Sequence, residues 1–328
     1  MGLKIYFKTI PFLFLRMLVT LLLEVLIALG FGLAVLIFFS NIFPENVWIK
    51  IVTAIFIPIY LIAVIKVVYR YLMFMIFSAH IAAISMFFKG INIGFLEQIS
   101  YGFNIVKQKI ISLSFLWIAR QIAYAIFRAL TGLVRFVTGW IPGVRTIVRI
   151  ILAILDRFIL IVLDVVTTSM VIENHDPWMN AKIGIIVVKR NWKNFLYIAI
   201  IFLLSTYLIT FGTFFGITYI SGYMFTGPIS PLPIIIGVIS VAIIYYAFLI
   251  PYIQAVMVCE YMYNRMNIPE KTLYQEAYAL EQEIASVVPY KLRMKLSRAL
   301  SEITPPPPYN MFTCCIIYIN NCKHINNI

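Results

Sequence analysis

Residues 17–39 carry a single charge, Glu24, in an otherwise apolar run. Crossing the roughly 30 Å hydrocarbon layer of a bilayer takes about 20 apolar residues, and a signal-peptide core has only roughly 7–15. The run therefore reads as a retained first span. Similar runs recur along the chain, so lipid is the solvent most of its surface must meet. Composition agrees: 62% of residues are hydrophobic and 12% charged, with mean hydropathy +0.97, whereas soluble domains carry about 25% charge. A water-soluble fold of 328 residues has no means of covering so much apolar area.

The expected fold is all-α: a polytopic helical membrane protein with about six spans, at 11–40, 48–88, 110–130, 146–172, 195–220 and 233–259. These make a membrane domain over 1–262. A cytosolic amphipathic and basic helical segment is expected over 263–300, and a Pro-rich, disordered tail over 301–328.

The formal charge is +13, and most Lys and Arg lie between or beside apolar segments. There they set orientation and meet anionic headgroups, so membrane lipids rather than nucleic acid are the expected contact. The links 41–47 (which holds the turn Asn41-Ile42-Phe43-Pro44) and 221–233 contain no Lys or Arg. Those near 89–109 and 173–193, and both termini, carry many. This places both termini in the cytoplasm of a multi-pass protein of the cell membrane. Arg135 and Arg145 break the pattern on the outer side. Either that segment is re-entrant, or the third and fourth spans form a hairpin that does not fully cross; Gly139, Pro142 and Gly143 permit the bend.

The two basic links share an order of residues. Ser85-Met86 is followed by Phe95, Gly102 and Val106-Lys107; Ser169-Met170 is followed by Trp178, Gly184 and Val188-Lys189. This predicts a direct repeat of span, amphipathic cytosolic elbow helix, span. Asp176 and Pro177 open the second elbow with a cap and a residue that needs no donor. On that elbow Trp178, Ala181, Ile185, Val188 and Trp192 share a face, with Lys182, Lys189, Arg190 and Lys193 beside it. Phe95, Ile99, Phe103 and Val106 share one on the first. Such helices lie on a membrane surface, which makes Trp178, Trp192, Lys182, Lys189, Arg190 and Lys193 candidate lipid-surface contacts. A weaker third echo places Leu273, Ala277, Leu280, Ile284 and Val287 on one stripe.

The runs Phe77-Ser78-Ala79-His80 and Asp164 through Val171-Ile172-Glu173 to Ala181, Lys189 and Trp192 resemble an uncharacterised family of prokaryotic polytopic membrane proteins. That family's membrane domain looks like the one fused to some glycerophosphodiester phosphodiesterases. The similarity covers roughly residues 10–260 and implies architecture, not activity. A proline that the family usually places near Met170 is missing here.

There is no Walker loop, dinucleotide fingerprint, HExxH or GxSxG, so no catalysis and no cofactor is expected. His80, His175 and His324 are too scattered for a metal site, and His80 is expected at the membrane interface. Pro306-Pro307-Pro308-Tyr309 reads as a stiff terminus, and Cys314, Cys315, Cys322 and His324 as part of an incidental extension.

Charges inside spans carry the functional case. Asp164, Arg120, Glu24 and Asp156 form a candidate intramembrane polar site, since an unpaired charge there costs several kcal/mol. Asp156 is expected to pair with Arg149 or Arg120. Asp164, the only ionisable residue over 160–170, is expected to face the bundle and pair with Arg120. Lys66 and Arg70 are expected to snorkel. Two roles follow: a non-catalytic scaffold or accessory subunit contacting headgroups or a membrane-protein partner through its elbows, or a small-solute or ion transporter using the buried acids.

Overall fold

A computed structural model describes residues 2–39, 47–141, 144–224 and 232–287. The turn at 41–44, part of the link 221–233, Pro142 and Gly143, the chain beyond 287 with its proline and cysteine motifs, and the side chains of Glu24, Ile284 and Val287 lie outside the described residues.

Among the described residues the chain is helical, with no strand. In order come α1 (Gly2–Lys8), α2 (Ile10–Phe39), α3 (Val47–Phe88), α4 (Phe95–Gln108), α5 (Ile110–Thr138) and α6 (Val144–Ile172). Then follow α7 (Pro177–Arg190), α8 (Trp192–Met224), α9 (Leu232–Ile243), α10 (Ile250–Met266) and α11 (Glu270–Val287).

Among the described residues, four stretches are long and apolar enough to cross a membrane: Ala63–Phe88, Ile110–Thr138, Trp192–Gly222 and Ile236–Met266. Their outer surfaces suit lipid rather than water, with Leu208 and Tyr219 on α8 each 78% exposed. In α2 the described apolar stretch is Ile10–Leu23, followed by Glu24, whose side chain lies outside the described ones. Helix α6 is full length but carries Arg145, Arg149, Asp156, Arg157 and Asp164, which make it amphipathic.

The second half of α3 is the centre of the bundle. Residues 74–85 are buried without a break, as expected of a helix that is apolar on every side. Around it pack α1, α2, α4, α6 and α10. His80 is fully buried rather than interfacial: its Nε2 lies 2.8 Å from Thr9 Oγ1, and Phe12 stacks on its ring at 5.1 Å.

Both elbow helices are 14 residues long and fold back on the long helix before them. Glycine sets each crossing. A Cβ at Gly102 would stand 2.5 Å from the Ala79 carbonyl oxygen, and one at Gly184 would stand 2.8 Å from Val166 Cα. Backbone cannot yield as a side-chain tip can, so Gly102→Ala and Gly184→Ala are each expected to cost about 1–3 kcal/mol. Gly132→Ala, with open space around it, serves as the control. Melting of the three variants in detergent checks this, and equal midpoints would refute the close-crossing account.

A π-helical segment, Ile244–Leu249, joins α9 to α10 without a break. Pro251 follows at once and has no N–H to give. The wider turn absorbs the misfit.

Candidate polar seam and charged junction

Helices α5 and α6 form an antiparallel hairpin whose polar residues face one another. On α5 they recur at Arg120, Tyr124, Arg128, Thr131 and Arg135, steps of three and four that keep one face of a helix. Arg120 Nη1 lies 2.5 Å from Asp164 Oδ1, with both side chains largely buried. The approach is off the N–H directions, so no donor is aligned on that oxygen, and the contact is Coulombic first. Arg120 also stands over the Phe74 ring at 6.0 Å.

Asp156 does not meet Arg149 or Arg120. It accepts from Tyr124 OH at 3.1 and 3.3 Å, and Arg128 covers the same tyrosine at 4.8 Å. The α5 register decides this: Tyr124, one turn beyond Arg120, meets α6 about two turns before Asp164. Arg157 lies against Tyr245 and Phe202. Lys66 and Arg70 are exposed on α3. Glu24 sits in α2, its side chain outside the described ones.

The sequence reading overlooked Arg16. It is 2% exposed, donates to Gln254 Oε1 at 2.6 Å, and stands over Phe77 at 5.8 Å. Its Nε and Nη2 have no hydrogen-bond partner, but the Asp164 carboxylate attracts its charge. One acid thus serves two arginines. The signal was present, a cation between Leu15 and Met17 inside an apolar stretch, yet it lies close enough to the N-terminus to pass for an interfacial residue.

A second polar cluster joins the elbows to the bundle. Lys109, at the end of α4, donates to the Met170, Val171 and Glu173 carbonyls at 3.2, 2.9 and 2.8 Å. A lysine from one elbow thereby caps the C-terminus of α6. Burial pushes its ammonium down to about 8, opposed by the Glu173 carboxylate. Glu173 accepts from Tyr261 OH and from Arg265 Nε, each at 3.0 Å, and Arg265 reaches on to Glu270 at 2.5 Å. Asp176 caps α7 through the Trp178 and Met179 amides.

Three of the candidate lipid contacts on α7 also pair within the chain. Lys182 is buried and paired with Glu281 at 3.1 Å. Lys189 lies 3.7 Å from Glu283, and Arg190 makes a bidentate pair with Glu276. Those three cations face α11. They can do so because Glu270–Val287 holds four glutamates and one lysine; apart from Arg265 and Lys271, the basic residues of the segment expected over 263–300 fall beyond 287. The face that α7 buries runs through Met179, Ile183, Gly184, Ile186 and Val187. Trp178 is half-buried, Ile185 is exposed, and Trp192 opens α8, exposed beneath Lys193. On α4, Phe95 and Phe103 are likewise exposed while Gln98, Gly102 and Val106 are buried. On α11 Leu273 and Ala277 of the apolar stripe are buried, and Leu280 is half-buried against the core.

The hydrogen bonds from Arg190 hold the Glu276 carboxyl below its usual range. A depressed acid stabilises the fold above its unfolded pKa, and that contribution disappears as pH falls through the lower folded value. Acidification below about pH 4.3, the ordinary glutamate value, is therefore expected to loosen α11 from α7. Hydrogen exchange in 270–287 measured against pH checks this; a profile unchanged in Glu276→Gln would count against it.

No group of three or more metal-ligating side chains occurs among the described residues. Comparison with known families, with characterised proteins and with solved structures finds no match. The function must be argued from the geometry.

Proposed function

We propose that this chain is a non-catalytic integral membrane protein of the cell membrane, a scaffold or accessory subunit with six spans and both termini cytoplasmic. Its elbows and α11 form a cytosolic platform for headgroups or a membrane-protein partner. One observation carries the reading. Each elbow ends in a cap residue, Lys109 or Asn191, and a long helix starts at the very next position. From Gly94 to Asp176 and from Lys109 to Asn191 the separation in sequence is the same. That regularity supports a direct duplication of span, elbow, span, and it accords with the family resemblance argued from the motifs around His80 and Asp164. Exposed Phe95, Leu96 and Phe103 supply the apolar side of the first elbow for a membrane surface.

The cations of α7 and the acids of α6 find partners within the chain, which suits a rigid support. The transporter reading draws on Arg16, whose buried Nε and Nη2 lack hydrogen-bond partners, as a polar path needs.

Two experiments decide. Reporter fusions at residues 45, 95, 185, 225 and 275 should read out, in, in, out and in; an outward signal at 185 overturns the topology. Reconstituted into vesicles, the protein should pass no ions or protons. A flux abolished by Asp164→Asn replaces the scaffold with a transporter.

A further inference from the structure

We propose that an arginine-lined cleft at the α5–α6 turn binds the phosphate of an anionic membrane lipid. The cleft has a volume of about 650 Å³ and is formed where this turn meets α8. Arg135, Arg145 and Arg149 line it, with Phe136, Trp140 and Tyr207. Among the described residues no carboxylate forms an ion pair with any of the three arginines, unlike the cations of α7.

Charge concentrates there for a second reason. Arg145 sits in the first turn of α6, a turn without an acid, where the helix dipole already presents its positive end. Two cations from one helix start and a third from α5 repel one another until an anion enters. A tetrahedral phosphate suits guanidinium forks.

The apolar rim identifies the carrier of that phosphate. Trp140 is 80% and Phe136 69% exposed, at the mouth of a cleft whose wall continues along the apolar faces of α5 and α6. Tyr207 stands about halfway along Trp192–Gly222, so if α8 crosses the bilayer the cleft reaches below its surface. Unmatched arginines at that depth are costly. A lipid brings its own chains to the rim and its charge to the arginines; free phosphate brings only the charge. The site is independent of the scaffold reading, since it lies at the opposite end of α5 from the elbows.

The test uses the full chain in detergent, titrated with dioleoyl phosphatidylglycerol and followed by native mass spectrometry. Wild type should hold this lipid and prefer it to dioleoyl phosphatidylcholine. Each of Arg135→Gln, Arg145→Gln and Arg149→Gln should weaken binding about fivefold, and the triple variant about a hundredfold. Lys66→Gln with Arg70→Gln removes two exposed cations elsewhere and should change little. Inorganic phosphate in excess should not displace the lipid. If the triple variant does not fold, the single variants decide. Unchanged binding in the variants overturns the site, equal loss in the control pair reduces it to net charge, and displacement by phosphate overturns the lipid as its occupant.

Discussion

Asp164→Ala is expected to destabilise the protein by about 3–5 kcal/mol, because it leaves Arg120 as an uncompensated buried cation. Arg16, fully buried and drawn to the same carboxylate, loses its attraction too. Replacing Asp164 and Arg120 together by leucine should recover much of the loss, since apolar side chains of similar volume require neither desolvation nor alignment. The recovery should be incomplete, because Arg16 still needs a negative neighbour. Denaturant titration in mixed micelles gives the comparison. If the single and double variants cost the same, the pair is not the source of the stability. If the double variant folds well but loses a measurable flux, the acid has a transport role.

Lys109→Met should cost about 2–4 kcal/mol, the second largest effect. Three carbonyls at the end of α6 lose one shared donor, and hydrogen bonds to a charged group contribute about 1.5–3 kcal/mol each. The total falls short of the sum because water can reach part of this junction. The loss should appear first as faster amide exchange in 168–176, since the capped turn also holds Glu173 for Tyr261 and Arg265. Uniform loosening along α6 would argue against a capping role.

What could be read from the chain follows from how local each effect is. Asp164 was legible because an isolated acid in an apolar stretch must find a cation, and Arg120 is deep enough in α5 to supply it. The cap at Asp176 was legible because it is settled by its own neighbours. The ion pairs of α7 were not, since Arg190 and Glu276 are 86 positions apart and Lys182 and Glu281 are 99 apart. Their meeting depends on the path of α8 to α10. The face that α7 buries against the bundle was not legible, because side-chain hydrophobicity points to Trp178 and Ile185. Close backbone approach at Gly184 decides which face turns inward, and a missing side chain leaves no mark on an apolar stripe. The π-helical segment before Pro251 likewise has no periodic signature.

The bond between Arg16 and Gln254 joins positions 238 apart, and that between Tyr6 and the Phe248 carbonyl joins positions 242 apart. The ribosome makes the first helices early and their acceptors near the end. Until α10 has been made, Arg16 lacks its acceptor, and α7 shows three cations that α11 later covers. Assembly is therefore ordered from outside the sequence of synthesis: the beginning of the protein waits for its end. A chain that stalls before Gln254 leaves the buried Arg16 without the side chain that accepts its hydrogen bond.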